Sequence, residues 1–176
     1  MPEKPRGSET VGDAVRSLVA LLGVIAVIVL AFTAMQPDEQ LPDRVDYAGV
    51  LDGVRAEFPY PVVAPSPEPS GWRATSVEYA SDSAGNRWRL GFLTDDEGFV
   101  GLRQSDGEIQ SYLADELAEF TRDGSSRVAG STWERWLESG DRPDRALVRV
   151  DDCVVTIVLG TVAYEVLEDF AAALRP

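Results

Sequence analysis

The chain contains no histidine and a single cysteine among its 176 residues. Without histidine it has no Ser-His-Asp or Cys-His catalytic group and no His-containing zinc site. It also lacks the usual side chain that titrates near neutral pH. One cysteine cannot form an intrachain disulfide. Because Cys153 begins the strand-like run CVVTIVL, we predict a buried, unreactive thiol rather than a nucleophile.

The sequence also lacks the spacing of a phosphate loop, a dinucleotide fingerprint, a nucleophile elbow or an EF-hand. Acidic residues at 95–97 and 151–152 resemble calcium ligands. Each group falls where a hairpin turn is expected, and Asp favours turns through local hydrogen bonds. No two carboxylates are singled out as a glycosidase pair. We therefore expect no catalytic residue, no metal and no cofactor, and a protein that is not an enzyme.

One long apolar run is present, the eighteen uncharged residues 18–35. As a helix it is about 27 Å long at roughly 1.5 Å per residue, close to the ~30 Å hydrocarbon core of a bilayer. We predict a transmembrane helix. A cleaved signal peptide is the alternative, although the run is longer than usual and ends without a clean small-x-small pair. A buried core helix fits poorly, because so small a domain does not require so long an apolar segment.

Basic residues lie mainly on one side of this run. Lys4, Arg6 and Arg16 precede it, whereas the flank after it carries only Arg44. Because positive charge is retained in the cytoplasm, we predict a cytoplasmic N-terminus and a C-terminal domain outside the cell membrane. The predicted organisation is a cytoplasmic tail (1–17), a transmembrane helix (18–35), a tether with a short helix and a proline-rich segment (36–70), and an extracytoplasmic domain (71–176).

The charge balance is strongly acidic, with 30 acidic and 16 basic residues and a net charge of −14. The first 35 residues hold three charges of each sign, so the whole excess lies beyond the apolar run. Anionic headgroups and nucleic acids repel such a domain. We therefore exclude DNA and RNA as partners, and the simplest role of the charge is solubility of an exported domain.

Hydrophobic periodicity predicts an α+β fold. Asp46 is expected to cap a short helix that ends at Glu57, and the proline-rich segment after it is expected to pack in extended form across the domain surface. Both halves then show three strands followed by a helix, a βββα unit used twice. Short connections favour a mainly antiparallel, six-stranded sheet packed with helices. The predicted elements are strands at 72–79, 87–94 and 99–104, a helix capped by Ser105 or Asp106, strands at 128–137, 146–150 and 153–159, and a helix from near Thr161.

Four tryptophans lie on or beside these strands: Trp72, Trp88, Trp133 and Trp136. We interpret them as core residues, because large aromatic side chains dominate the cores of small domains. A platform that stacks on sugar rings is the alternative. Trp133 and Trp136 are three residues apart and therefore face opposite sides of a regular strand.

Arginines supply the candidate ligand-binding residues. Alternation puts Arg87 and Arg89 on the face of their strand opposite its apolar side chains, and Arg73 and Arg103 can join them from neighbouring strands. We assign Arg73, Arg89 and Arg103 as candidate ligand-binding residues that form a local basic cup for a carboxylate or phosphate. The alternative is that these guanidiniums pair internally with carboxylates of neighbouring strands or of a helix.

Several short motifs, in this order, resemble a known family: YPVVAP (60–65), GWRATSV (71–77), WRLGF (88–92), GLRQSDG (101–107), TWERW (132–136) and LGTVAYE (159–165). The chain resembles an actinobacterial membrane-anchored family known as domain-of-unknown-function family 4245. The resemblance implies a single N-terminal span with an exported domain, and it implies no known reaction, cofactor or catalytic residue. The predicted order of elements is also similar to the Mog1/PsbP-like sandwich, an analogy of fold alone.

These features together predict a single-pass protein of the cell envelope whose outer domain binds without catalysing a reaction. The expected partner is another envelope protein or a small anionic or lipidic ligand. One alternative is an accessory structural subunit of an envelope complex. The other is an envelope hydrolase that works with carboxylates alone.

Overall fold

The computed structural model describes residues 18, 21–23, 25, 26, 28 and 43–176. The chain divides into two compact units, residues 1–42 and 43–176. The described residues of the first unit are helical and exposed. Among all described residues, no helix has the length and hydropathy that a membrane span requires. The predicted tail 1–17 and most of the predicted span 18–35 lie outside the described residues.

The second unit consists of three helices, a large sheet and a small two-stranded ladder. Its elements are α1 (Ala48–Glu57), β1 (Ala64–Pro65), β2 (Arg73–Asp82), β3 (Gly85–Leu93), β4 (Phe99–Ser105), α2 (Ile109–Glu116), β5 (Phe120–Val128), β6 (Ser131–Glu138), β7 (Arg145–Asp151), β8 (Val154–Gly160), α3 (Tyr164–Ala173) and β9 (Leu174–Arg175). The large sheet has the strand order β2-β3-β4-β8-β7-β6-β5, and β1 pairs with β9. Every neighbouring pair in both sheets is antiparallel.

The predicted α+β class and antiparallel sheet are confirmed, but the large sheet has seven strands rather than six. The missed strand is β5, whose side chains are mostly polar and exposed. The predicted single strand 128–137 is therefore wrong. It contains the turn of the β5–β6 hairpin, where Ala129 and Gly130 have φ of 48° and 86°. Two such residues in succession match the twist of a tight hairpin.

The order of three strands followed by a helix occurs in both halves, as β2-β3-β4-α2 and as β6-β7-β8-α3. The third strands of the two halves, β4 and β8, pair at the middle of the sheet. The extra strand β5 lies at one edge beyond β6, and β2 forms the other edge.

Two hydrophobic clusters cover opposite faces of this sheet. The larger cluster packs β3 and β4 under α1, α3 and the proline-rich segment, with side chains that include Leu90, Phe92, Leu102, Leu167 and Phe170. The smaller cluster packs Tyr112 and Leu117, from α2 and the residue after it, on β7 and β8. Since β8 contributes to both clusters, it is buried on both faces, as expected for a central strand.

The tryptophans are core residues, as predicted. Trp88 is 0% exposed and Trp133 is 1% exposed. Trp72 packs against the larger cluster, and Trp136 packs against the smaller one. Since Trp133 belongs to the larger cluster, Trp133 and Trp136 face opposite sides of β6, which confirms that prediction too.

The proline-rich segment packs across the larger cluster, as predicted. Phe58, Tyr60 and Val62 are buried. Two hydrogen bonds fix the segment to the sheet: Trp88 Nε1 donates to the Val63 carbonyl at 3.1 Å, and the Val63 N–H donates to Gln104 Oε1 at 2.8 Å. The compact unit therefore starts at residue 43 and includes this segment and α1.

The predicted N-caps of the helices have different outcomes. The N-cap residue of α1 is Tyr47 rather than the predicted Asp46, but the Asp46 carboxylate, one residue earlier, still accepts hydrogen bonds from the N–H groups of Ala48 and Gly49. The cap of α2 is not Ser105 or Asp106, because the Glu108 carboxylate accepts from the first free N–H groups of that helix. Helix α3 begins at Tyr164, three residues after the predicted start at Thr161.

Cys153 is exposed, so the prediction of a buried thiol is wrong. The β7–β8 hairpin turns through Asp152, which has a φ of 50°, and Cys153. The buried part of the apolar run begins only at Val155. Hydrophobic composition predicted the strand, whereas the turn takes the first residue of the run out of it.

Candidate functional site

An open cleft of about 900 Å³ lies on the face of the sheet that α2 covers only in part. Helix α2 packs on β7 and β8. Strands β2 and β3 therefore keep part of this face uncovered, and the cleft forms between them and α2. Arg87 and Arg89 of β3 and Glu78 of β2 line one side, and Tyr112 and Glu116 of α2 line the other.

Close backbone contact shapes one end of the cleft. The β2–β3 turn contacts the loop before α2, where a Cβ atom on Gly107 would lie 2.2 Å from the Ala84 carbonyl oxygen. The Asp106 carboxylate accepts two hydrogen bonds of 2.7 Å from the backbone and side-chain nitrogens of Asn86. These bonds occupy Asp106, which explains why it does not cap α2.

Two arginines and one glutamate meet beside the cleft. The antiparallel register places Arg89 directly opposite Arg103, an arrangement of like charges that is unfavourable alone. Glu116 lies against both, since Oε1 accepts a hydrogen bond from Arg89 and Oε2 accepts one from Arg103. The Glu116 side chain is 7% exposed, whereas those of Arg89 and Arg103 are 40% and 27% exposed. This Arg89–Glu116–Arg103 cluster carries one net positive charge.

Tyr112 lies one helical turn before Glu116, on the same side of α2. It is 8% exposed, and its hydroxyl finds no acceptor among residues 43–176, although the nearby Arg89 guanidinium acts to lower its pKa. Burial, together with the nearby Glu116 carboxylate, raises the pKa of Tyr112 to about 12. The phenol therefore keeps its proton at neutral pH and remains a hydrogen-bond donor without an acceptor in the described domain.

The other charged groups around the cleft are mainly acidic. Arg87 pairs with Asp82 at 2.5 Å, and this hydrogen bond lowers the pKa of the Asp82 carboxyl. Glu78 and Asp115 also line the cleft. Neither forms an ion pair within the part of the chain that the structure describes. The mouth of the cleft therefore carries two carboxylates that form no ion pair among residues 43–176.

The structure brings two of the three predicted ligand-binding arginines together. Arg89 and Arg103 share Glu116, so they pair with a helix carboxylate, as the alternative interpretation expected. Arg73 pairs in register with Leu93, four residues along β3 from Arg89, and has interactions of its own. At ~3.4 Å per strand residue this offset is about 14 Å, so Arg73 does not join the cluster. Ligand binding by all three arginines stays a prediction.

Sequence patterns did not reveal the other cleft residues. Tyr112 appeared only as one member of the apolar stripe of α2. Its four-residue spacing from Glu116 is the one local signal that the two act together. Glu78 lies opposite Arg89 only through the β2–β3 register, which depends on how the strands pair.

Across the described residues, no group of three or more His, Cys, Asp or Glu side chains is placed to hold a metal ion. The acidic residues at 95–97 form the β3–β4 turn, and those at 151–152 lie at the β7–β8 turn, as their composition predicted.

The fold and the cleft define a class of protein: a small α+β domain with helices on both faces of an antiparallel sheet and an open cleft of mixed charge. The sequence model of a family described as protein of unknown function (DUF4245) matches residues 6–174. The chain belongs to this family, as its motifs predicted. No curated protein and no solved structure matches the chain.

Proposed function

We propose that this protein is a single-pass, membrane-anchored module of the cell envelope whose outer domain binds a partner or ligand and does not catalyse a reaction. The apolar run 18–35 and the basic residues before it support an N-terminal anchor with a cytoplasmic N-terminus. The acidic, compact unit 43–176 is then the domain outside the cell membrane. The likeness in element order to Mog1/PsbP-like sandwiches belongs to this proposal as an analogy of fold.

The cleft supports a binding role. An arginine has five N–H donors, so Arg89 and Arg103 retain donors beyond those that bond to Glu116. The Tyr112 hydroxyl is a further donor, and it is the observation that carries the proposal, because a buried donor without an acceptor costs stability unless something else accepts its hydrogen bond. A carboxylate, phosphate or carbonyl group of a ligand or envelope protein fits this donor set.

A second candidate is an accessory structural subunit of an envelope complex. Strand β2 is an edge of the sheet. Its start accepts a hydrogen bond from the Val45 N–H to the Ala74 carbonyl at 2.8 Å, and no other backbone bond from residues 43–72 reaches it. Tyr79 on this strand is 53% exposed. An exposed edge strand is a surface to which another chain can add a strand.

The exposed thiol of Cys153 offers a test of the orientation. Because it is the single cysteine of the chain, a membrane-impermeant maleimide reports its location without competition from other thiols. We expect the full-length protein in intact protoplasts to be labelled to the same extent as after lysis, and the Cys153→Ser variant to stay unlabelled. Labelling that requires lysis would place the domain inside and contradict the proposal.

Variants of the cleft test the binding role. We expect photo-crosslinking on native membranes, followed by purification and mass spectrometry, to recover a partner or ligand with the wild-type full chain. Recovery with the Arg89→Gln/Tyr112→Phe double variant should be about tenfold lower or lower still, since removing hydrogen bonds to charged groups costs ~1.5–3 kcal/mol each. Arg127→Gln on β5, the opposite edge of the sheet, is the matched control and should behave as wild type. Equal recovery from all three proteins would exclude the cleft as the binding site.

A further inference from the structure

We propose, building on ligand binding in the cleft, that the ligand is a zwitterion that carries an ammonium group together with an acid group, as an unblocked peptide does. The cleft presents donors for the acid group and, for the ammonium group, two carboxylates that form no ion pair among residues 43–176. These two sets of side chains come from neighbouring positions on β2, β3, β4 and α2.

The acid end of such a ligand meets the Arg89–Glu116–Arg103 cluster. Its net positive charge favours one anionic group, and Tyr112 adds a buried hydroxyl with no acceptor among residues 43–176. That hydroxyl is protonated at neutral pH, so its hydrogen is available to donate to a ligand oxygen. A carboxylate that accepts from Arg89 and Tyr112 at once satisfies both groups.

The ammonium end meets Glu78 and Asp115. The register places Glu78 directly opposite Arg89, and such cross-strand neighbours have Cβ atoms about 5 Å apart. Asp115 precedes Glu116 on α2 and lines the same cleft. Both carboxylates lack an ion-pair partner in the described part of the chain, so the ammonium group of a zwitterion can contact either of them while its acid group contacts the arginine cluster.

The overall charge of the cleft argues against a polyanion. Carboxylates outnumber guanidiniums by five to two among the residues that line it, and both of those arginines already pair with carboxylates. A ligand with several negative charges is repelled, whereas a zwitterion is not. The volume of about 900 Å³ exceeds the need of a single amino acid and suits a peptide of a few residues.

Peptides with one blocked terminus test the acid site and the ammonium site separately. We expect titration calorimetry of the full-length protein in detergent to show binding of trialanine, and at least tenfold weaker binding of N-acetyl-trialanine and of trialanine amide. Equal binding of the blocked and free peptides, or no binding of trialanine and of glycerophosphoethanolamine, would overturn the inference. If glycerophosphoethanolamine binds and trialanine does not, the result would support a zwitterionic ligand and assign it to a lipid headgroup.

Inorganic phosphate is the control for a simple anion site. It should bind weakly, and phosphate that binds more tightly than both zwitterions would overturn the inference.

Two conservative variants test the ammonium site. Glu78→Gln and Asp115→Asn should each weaken trialanine binding about tenfold while leaving the unfolding midpoint unchanged, since both side chains are exposed. Asp169→Asn on α3, which packs on the other face of the sheet, is the matched control. Unchanged affinity for trialanine in both cleft variants would rule out the proposed ammonium site. If cleft variants lose the membrane partner yet no zwitterion binds, the binding function stands and this inference fails.

Discussion

Replacing Trp88 with alanine is expected to lower the free energy of unfolding by about 3–5 kcal/mol, as for large aromatic side chains deleted from other cores. Trp88 is 0% exposed and packs in the larger cluster. Its indole N–H also donates a hydrogen bond to the Val63 carbonyl, with 3.1 Å between Nε1 and the oxygen. The variant therefore leaves a cavity and releases the proline-rich segment. Since small domains have a total stability of only about 5–15 kcal/mol, denaturant titration of the full chain should show a large shift in midpoint.

Phenylalanine substitutions separate the hydrogen bond from the packing. Trp133 is a matched control, because it is 1% exposed and its Nε1 has no acceptor within residues 43–176. Trp88→Phe leaves the Val63 carbonyl without its donor, so it should cost about 1–3 kcal/mol more than Trp133→Phe. Equal losses in the two variants would show that the bond to Val63 does not stabilise the segment.

Replacing Glu116 with alanine is expected to lower the free energy of unfolding by about 2 kcal/mol, because it leaves Arg89 and Arg103 facing each other without a carboxylate. Removing one partner of a fully buried ion pair costs ~3–5 kcal/mol. The smaller value follows from the 40% and 27% exposure of the two arginine side chains, because solvent screens their repulsion. Chemical denaturation at low ionic strength measures the difference.

A double-mutant cycle identifies the cause of that loss. Glu116→Ala should cost less in an Arg89→Gln background, since one of the two guanidiniums is then already absent. Added salt should also reduce the loss, because it screens the remaining repulsion between the arginines. Strictly additive losses that salt does not change would mean that Glu116 stabilises the domain through packing alone.

Local patterns predicted those elements whose burial alternates along the chain. Along β3, the alternation from Arg87 to Phe92 predicted both the strand and its buried face. The spacing of Leu51 and Val54 predicted α1, and Asp46 predicted its start to within one residue. These predictions succeeded because one buried face leaves a period of 2.0 or 3.6 in the sequence.

Where the sequence carried no such period, the prediction failed. Strand β5 is mostly polar and exposed, because only its two ends, Phe120 and Val128, pack on the hydrophobic clusters. Cys153 sits in an apolar run, yet the turn of the hairpin exposes it. In both cases the position in the sheet, rather than local composition, decides burial.

The sequence by itself determined that this chain lacks histidine chemistry, that its charge excess is acidic, that one apolar run precedes an α+β domain, and to which family it belongs. Only the tertiary structure decided that Arg89 and Arg103 share Glu116, that Arg73 lies apart, and that the Tyr112 hydroxyl is buried beside a cleft without an acceptor from residues 43–176. The physical reason is that composition and periodicity are properties of neighbouring residues along the chain. Contacts across β2, β3 and α2 depend instead on strand register and on where a helix packs, and no local pattern specifies either.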